Sequence, residues 1–220
     1  MPRPLPSPTQ ILQPCSSTQD ELDALLLDAS GYMRLFPSEK ILQYPYEQLR
    51  CWCHRNSRFT LVTSELINWL KEQIGSQHTI EIAAGKGDIC YHLGIRGTDS
   101  YAQLAHDDYF RATGQIPVVP HPDIEKREAV QAVKKYKPKV VVASWATQRY
   151  VVDKHLGISY GINEQKILDL VKTYIHIGND NSHNAKPILK RSHTKHRFPW
   201  LITRAAEPQK NAIWVFKKVF

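Results

Sequence analysis

The sequence predicts an α/β protein: a mostly parallel sheet with an antiparallel C-terminal hairpin strand and a helical N-terminal extension. Three observations predict it. Short apolar runs at residues 78–82, 95–99, 140–145 and 174–178 alternate with segments whose apolar residues recur every three or four positions. That is the pattern of strands joined by right-handed crossover helices. Val140-Val141-Val142-Ala143 is apolar without alternation, as a strand buried on both faces requires. Two last apolar runs, 200–204 and 212–216, flank a turn containing Pro208 and Lys210 and read as a closing hairpin.

Residues 1–17 are rich in Pro, Ser and Gln without periodicity and are expected to be a disordered tail. Residues 18–58 read as a helical, aromatic extension. Thr18-Gln19-Asp20-Glu21 has the form of a capping box, Leu22, Leu25, Leu26 and Ala29 follow at helical spacing, and Gly31 is the expected stop. Tyr32, Phe36, Tyr44, Tyr46 and Trp52 form a cover for the main domain, which spans residues 59–220. There Leu66, Ile67, Leu70 and Ile74 line a helix ending near Gly75, and a brief helix over 88–93 stops at Gly94. Residues 100–122, with Pro117, Pro120 and Pro122, read as an inserted loop or lid. Ala129, Ala132, Val133 and Tyr136 give an amphipathic stripe that Lys137-Pro138 ends. Asn163 is placed to cap a further helix with Ile167, Leu170, Val171 and Tyr174 on its apolar face.

With 220 residues, 42% of them apolar and 23% charged, the chain suits one sizeable soluble core. No apolar run approaches the roughly 20 residues of a membrane span, and the start lacks the layout of a signal peptide. A cytoplasmic protein is expected. Four cysteines (Cys15, Cys51, Cys53, Cys90) do not make a disulfide framework at this length. Cys51-Trp52-Cys53-His54 lacks the ligand spacing and the second pair that a metal site needs, so no metal is expected. The formal charge of +8 is uneven. Residues 1–60 and 61–185 balance, whereas 186–220 carry nine positive side chains against Glu207 alone. Such a segment either attracts a phosphate-bearing or acidic partner or is a solvated basic surface.

Chemistry concentrates at Glu81-Ile82-Ala83-Ala84-Gly85-Lys86-Gly87-Asp88, where the first strand run, 78–82, ends in the acid and passes into the loop. Ligands in open α/β sheets sit beyond the carboxyl ends of the strands, and Gly85 and Gly87 let backbone approach a ligand closely. Asp99 follows at the end of the next strand, where a carboxylate can accept both hydroxyls of a ribose. A nicotinamide dinucleotide fits less well. Its loop wants a third small residue where Cys90 stands, and Asp88 puts negative charge where its phosphates would lie.

The pattern Glu81-x-Ala83-x-Gly85-x-Gly87, followed by Asp99, resembles the first two motifs of class I S-adenosylmethionine (SAM)-dependent methyltransferases. The resemblance implies a Rossmann-like, seven-stranded sheet and SAM as cofactor. It places Glu81 at the methionine part, Ala83, Gly85 and Gly87 beneath the cofactor, and Asp99 with Ser100 at the ribose. Ser144-Trp145-Ala146-Thr147 takes the position of the fourth motif, and residues 58–63 resemble the segment that closes over the methionine end. Ala83 replaces the usual first glycine, and the helix after the loop is very short. Neither the Asn/Asp-Pro-Pro-aromatic motif nor a Pro-Cys nucleophile is present, which disfavours DNA base methylation. From about Arg50 onward the chain also resembles a little-characterised group of bacterial methyltransferase-like proteins, through residues 81–88, 97–103, 137–147 and 174–179 with His183.

Catalytic candidates are Trp145, Asn179 and His183, the last as a base titrating near neutrality or as a loop histidine with no special task. The expected activity is methyl transfer to an acceptor, anionic or phosphate-bearing, met by segment 186–220. The alternatives are a SAM- or nucleotide-binding module without catalysis, and an RNA-binding protein on a Rossmann-like scaffold.

Overall fold

The computed structural model describes residues 16–112, 114–153 and 158–218. Four helices come first: α1 (Ser16–Leu26), α2 (Ser38–Ile41), α3 (Tyr46–Arg55) and α4 (Ser64–Ile74). Then follow β1 (Thr79–Ile82), α5 (Asp88–Leu93), β2 (Arg96–Asp99), α6 (Ala102–Ala105), α7 (Asp107–Ala112), β3 (Glu125–Lys126), α8 (Ala129–Tyr136) and β4 (Val140–Ser144). The rest comprises β5 (Tyr150–Asp153), β6 (Ile158–Tyr160), α9 (Glu164–Leu170), β7 (Thr173–Asn179), α10 (Asp180–His183), β8 (Thr194–His196) and β9 (Asn211–Lys217).

Local chemistry sets the helix ends. Thr63 Oγ1 accepts from Leu66 N at 3.1 Å to start α4, and Gly75 at φ +52° ends it. Asn163 Oδ1 accepts from Lys166 N at 3.2 Å to start α9, satisfying one of the donors a helix start leaves open. Lys137 turns left-handed at φ +48° to end α8 before Pro138.

Seven strands form one sheet in the order β3-β2-β1-β4-β7-β9-β8. β1 lies parallel between β2 and β4, and β4 is parallel to β7. β9 runs antiparallel to both β7 and β8. The expected Rossmann-like α/β sheet, mostly parallel with an antiparallel C-terminal strand, is what forms. Strand alternation divides its core in two. Val140, Val142, Ile175, Ile177, Ile213 and Val215 face α4 and the N-terminal helices, with Leu22, Leu26, Leu49 and Trp52 in the same cluster. Val141, Ala143, Tyr174, Trp214 and Phe216 face α8 and α9. The N-terminal extension is therefore part of one face's core.

Several expectations are corrected. The expected tail lies outside the described residues except at Ser16 and Ser17, which are helical; Thr18 stands within α1. Gly31, at φ +83°, serves a turn closed by its own N–H on Asp28 O, after α1 has already ended. Residues 100–122 carry the short helices α6 and α7. Leu170 is 45% exposed and Tyr174 belongs to β7, so neither serves the buried face of α9. The closing hairpin pairs β9 with β8, not with residues 200–204. That buried run spends its backbone on the segment before α4: Leu61 N donates to Ile202 O, and Arg204 N to Phe59 O, both at 3.0 Å.

Candidate active site

The sheet brings the carboxyl ends of β1, β2 and β4 together, and the loops that leave them surround a cavity. Ala83, Gly85 and Gly87 adopt positive φ of +49°, +56° and +83°, so the loop after β1 reverses direction at alternate residues. At Gly87 an added Cβ would stand 2.4 Å from Ile124 Cδ1 and push that side chain aside, and φ +83° itself favours glycine. At Gly85 a Cβ would meet Val118 at an ordinary 3.5 Å, so there the backbone angle makes the demand. Gly85 N donates to Asp99 Oδ2 at 3.0 Å and Tyr101 N to Asp99 Oδ1 at 2.8 Å. Each carboxylate oxygen thus holds one backbone donor and keeps acceptor capacity for another. Ser100 lines the cavity beside it.

The other two acids are inward-facing. Glu81 is buried and accepts from Cys90 N at 2.8 Å. Burial pushes its carboxyl up to about 8, with Asp88 and Asp99 adding to the rise. Asp88 is also buried. It takes Arg58 Nε at 2.8 Å and Nη2 at 3.2 Å, and Met33 N at 2.7 Å. The protein's own carboxylates therefore occupy the start of α5, where a pyrophosphate would have to sit.

The opposite wall comes from distant parts of the chain. Thr60 Oγ1 lies 2.9 Å from Ser144 Oγ. Trp145 follows β4 at φ +53°, a costly angle for a bulky residue, and its indole N–H is buried without a partner among the described residues. Phe59 stands 5.7 Å from it, ring to ring. From above, Gln103 joins Tyr160 OH at 3.0 Å and Val118 N at 2.9 Å, tying the 100–122 segment to the β5–β6 hairpin. Lys86 also lines the cavity, and its ammonium has no hydrogen-bond partner among the described residues; burial pushes its pKa down. The cavity opens to solvent and encloses about 120 Å³.

Of the residues singled out from sequence, Glu81, Ala83, Gly85, Asp99, Ser100, Ser144 and Trp145 line this cavity, and Gly87 shapes its loop from behind. Asn179 and His183 do not line it. The Asn179 amide is spent on Glu207 O and Asn211 Oδ1, both at 2.9 Å. α10 folds His183 back onto β7, where Nδ1 lies 2.9 Å from the Asn179 carbonyl. Its ring stands edge-on to Trp145 at 5.1 Å and to His176 at 4.7 Å. Burial, then the Lys186 charge, pushes its pKa down to about 4, so it is neutral at pH 7 but placed behind Trp145. Sequence reasoning put Asn179 and His183 at the correct end of a strand. It could not see that α10 turns them under it.

Sequence reading also missed Arg58, Phe59 and Tyr160 as individual residues. Segment 186–220 is less free than its composition suggests. Lys186 is buried on Glu164, at 2.7 Å from each carboxylate oxygen. Arg191 pairs with Asp169, Lys195 and Arg197 with Asp180, and Lys210 with Glu207. No helix of the described residues is long and apolar enough to cross a membrane, and among them no cluster of three or more His, Cys, Asp or Glu could hold a metal ion.

No protein-family model matches the chain, and no curated protein sequence matches it significantly. Solved structures do. The O-methyltransferase from Bacillus cereus in complex with SAH is 14% identical, over 91% of this chain and 97% of that one, with a TM-score of 0.38. An O-methyltransferase family protein from Burkholderia thailandensis is 11% identical, over 91% and 68%, with a TM-score of 0.35. A protein from Thermoplasma acidophilum is 12% identical, over 90% and 96%, with a TM-score of 0.35. At these scores and identities the likenesses do not bear on chemistry.

Proposed function

We propose that the chain is a SAM-dependent methyltransferase whose cofactor lies along the Glu81–Asp88 loop. The observation that carries this reading is Asp99. Its carboxylate stands at the end of β2, is fixed by one backbone N–H on each oxygen, and keeps lone pairs for a vicinal diol. The donor set suits SAM better than a dinucleotide. Asp88, held by Arg58, and Glu81, which takes Cys90 N, occupy the α5 start where a pyrophosphate would need open amides, and that costs a phosphate-free ligand nothing.

Ala83 and Gly85 pass beneath the cofactor, Glu81 faces its ammonium group, and Lys86 and Arg58 face its carboxylate. Ser100 adds a hydroxyl beside the ribose, and Ser144 and Trp145 bound the reacting end. When bound, SAM supplies an electrophilic methyl group on a sulfonium. The chain's own contribution there is to hold the acceptor in line and keep water out, which the Phe59, Trp145 and Tyr160 rings are positioned to do. His183 and Asn179 act as positioning residues, holding Trp145 and the end of β7.

Calorimetric titration with SAM and S-adenosylhomocysteine (SAH), beside NAD, tests the reading. Saturable micromolar binding of the SAM pair alone is expected. No binding of either by folded protein overturns the assignment. SAM bound without methylation of any acceptor favours a non-catalytic module, and salt-sensitive RNA binding indifferent to SAM favours a nucleic-acid role.

A further inference from the structure

The charges of the cavity lie on one side of it. Six charged side chains line it: Arg58, Glu81, Lys86, Asp88, Asp99 and Glu128. Five of them stand at or just after the ends of β1, β2 and β3, and Arg58 is bound to one of these, Asp88. Glu128 is occupied as the cap of α8, accepting from Gln131 N at 3.0 Å. Across β1, on the β4 side, the wall is Ser144, Trp145, Ala146 and Thr147 with Tyr160, Gly161 and Ile162. None of these carries a charge. Phe59 and Val62 add apolar surface, and Arg204 is stacked behind Phe59, 3.4 Å from the ring centroid, outside the lining. No described residue of the basic segment 186–220 lines the cavity either.

The polar groups of this wall are hydroxyls. Ser144 Oγ and Thr60 Oγ1 share one hydrogen bond at 2.9 Å, and such a pair keeps one O–H and spare lone pairs for a further partner. A neutral hydroxyl or amide satisfies it. A charge laid on the same wall would give up its hydration with no opposite charge to replace it. Apolar character continues on the elements that frame the cavity. Leu104, Ile116, Val119, Tyr150 and Val151 are large hydrophobics at 38–53% exposure. They belong to the two segments that also supply Gln103, Val118 and Tyr160 to the lining, and the Tyr150 and Tyr160 rings stand 5.8 Å apart across the β5–β6 hairpin.

We propose that the methyl acceptor is an uncharged molecule with an apolar body, its neutral polar group met by the Ser144–Thr60 hydroxyls and its body laid along Trp145, Tyr160 and Ile162. Calling it an acceptor rests on the methyltransferase reading; the uncharged site does not. A phosphate-bearing molecule fits this wall poorly, because the lining cation without a partner, Lys86, sits on the glycine loop at the cofactor end.

A series of n-alkanols from butanol to octanol probes the wall by calorimetry on the full chain, with and without saturating SAH. Affinity rises about two- to fourfold for each added methylene. Octanoate, octylammonium and inorganic phosphate each bind at least about tenfold more weakly than octanol when SAH is bound. T147D puts a carboxylate on the wall and weakens octanol about tenfold or more. S144A removes one hydroxyl with little change of shape, weakens octanol about two- to tenfold and keeps the gain per methylene; it decides the matter should T147D fail to fold. A flat length dependence, a charged probe binding as tightly as octanol, or octanol binding unaffected by T147D or by S144A overturns the proposal. SAH binding joined to any of those results keeps the methyltransferase reading and sinks only the uncharged site. Wild-type protein that shows the octanol pattern but never binds SAH keeps the site and sinks the methyltransferase reading.

Discussion

The two ends of the cavity are built by opposite means. At the end proposed for the cofactor, residues 81–101 supply nearly everything: the end of a strand, three left-handed turns and a second strand, cross-linked by Gly85 and Tyr101 amides on Asp99. At the other end, Phe59, Trp145 and Tyr160 come from three separate stretches. The first end is polar, hydrogen-bonded and local. The second is aromatic and exists only once the whole sheet has closed. A fixed cofactor needs a site whose polar groups are set by backbone, while an acceptor site built from long-range side chains can change its specificity without disturbing the loop.

The Arg58–Asp88 pair joins the two ends, so breaking it gives the largest expected effect. Arg58→Met leaves Asp88 buried against the N-terminal extension without its partner. Removing one member of such a pair costs about 3–5 kcal/mol, read as a lower urea midpoint at unchanged slope. A loss below about 1 kcal/mol, the value of a surface pair, would mean that the two ends are not coupled there.

Glu81 sharpens the contrast through pH. Its carboxyl titrates at about 8 in the folded chain because burial opposes ionisation, against roughly 4.3 when unfolded. Between those values the folded state binds the extra proton. Stability from this group is therefore full below about pH 4, falls as pH rises, and is lost above about 8. Glu81→Gln, a neutral isostere, should flatten this dependence and make the ligand-free protein more stable than wild type at pH 9, by up to roughly 5 kcal/mol. The same substitution should weaken SAM, whose ammonium favours the ionised carboxylate. Parallel stability curves for the two proteins from pH 5 to pH 9 would remove Glu81 as a titrating group.

Asp99→Ala should weaken SAH by about 2–3 kcal/mol, through lost charge-assisted hydrogen bonds to the ribose. Unchanged affinity in a folded variant would take Asp99 out of the site.

The same division explains what could be read from sequence. Glu81, Gly85, Gly87 and Asp99 signal themselves because a strand, a glycine turn and the next strand's acid lie within twenty residues of chain, and local backbone chemistry fixes their relation. The apolar run of β4 was equally readable, since burial on both faces leaves no alternation. Arg204 could not be found that way. In sequence it is one of nine cations in 186–220, and only the structure shows that Lys186, Arg191, Lys195 and Arg197 pair with acids from outside that segment and Lys210 with Glu207, while among the described residues Arg204 has no such pair. Residues 200–204 and β8 were confused for a related reason. Pairing of β9 with one run or the other depends on whether residues 59–61 claim the backbone first, and nothing in the apolar pattern encodes that competition.

The smallest effect compares strain at the two ends. Ala83 and Trp145 are both non-glycine residues at positive φ, +49° and +53°. Glycine at position 83 relieves about 1–2 kcal/mol of left-handed strain. It also gives up a methyl packed against the core, worth about 0.8 kcal/mol, and adds unfolded-state entropy of about 0.4–1 kcal/mol. These nearly cancel, so Ala83→Gly should shift stability by no more than about 0.5 kcal/mol and leave SAH affinity unchanged. The same exchange at Trp145 cannot cancel, because its ring fills the space between Phe59 and His183. Strain at the cofactor end is thus nearly free to remove, whereas at the acceptor end it holds the indole in place. A clear gain in stability at 83 with weaker SAH would show instead that the Ala83 methyl shapes the cofactor's seat.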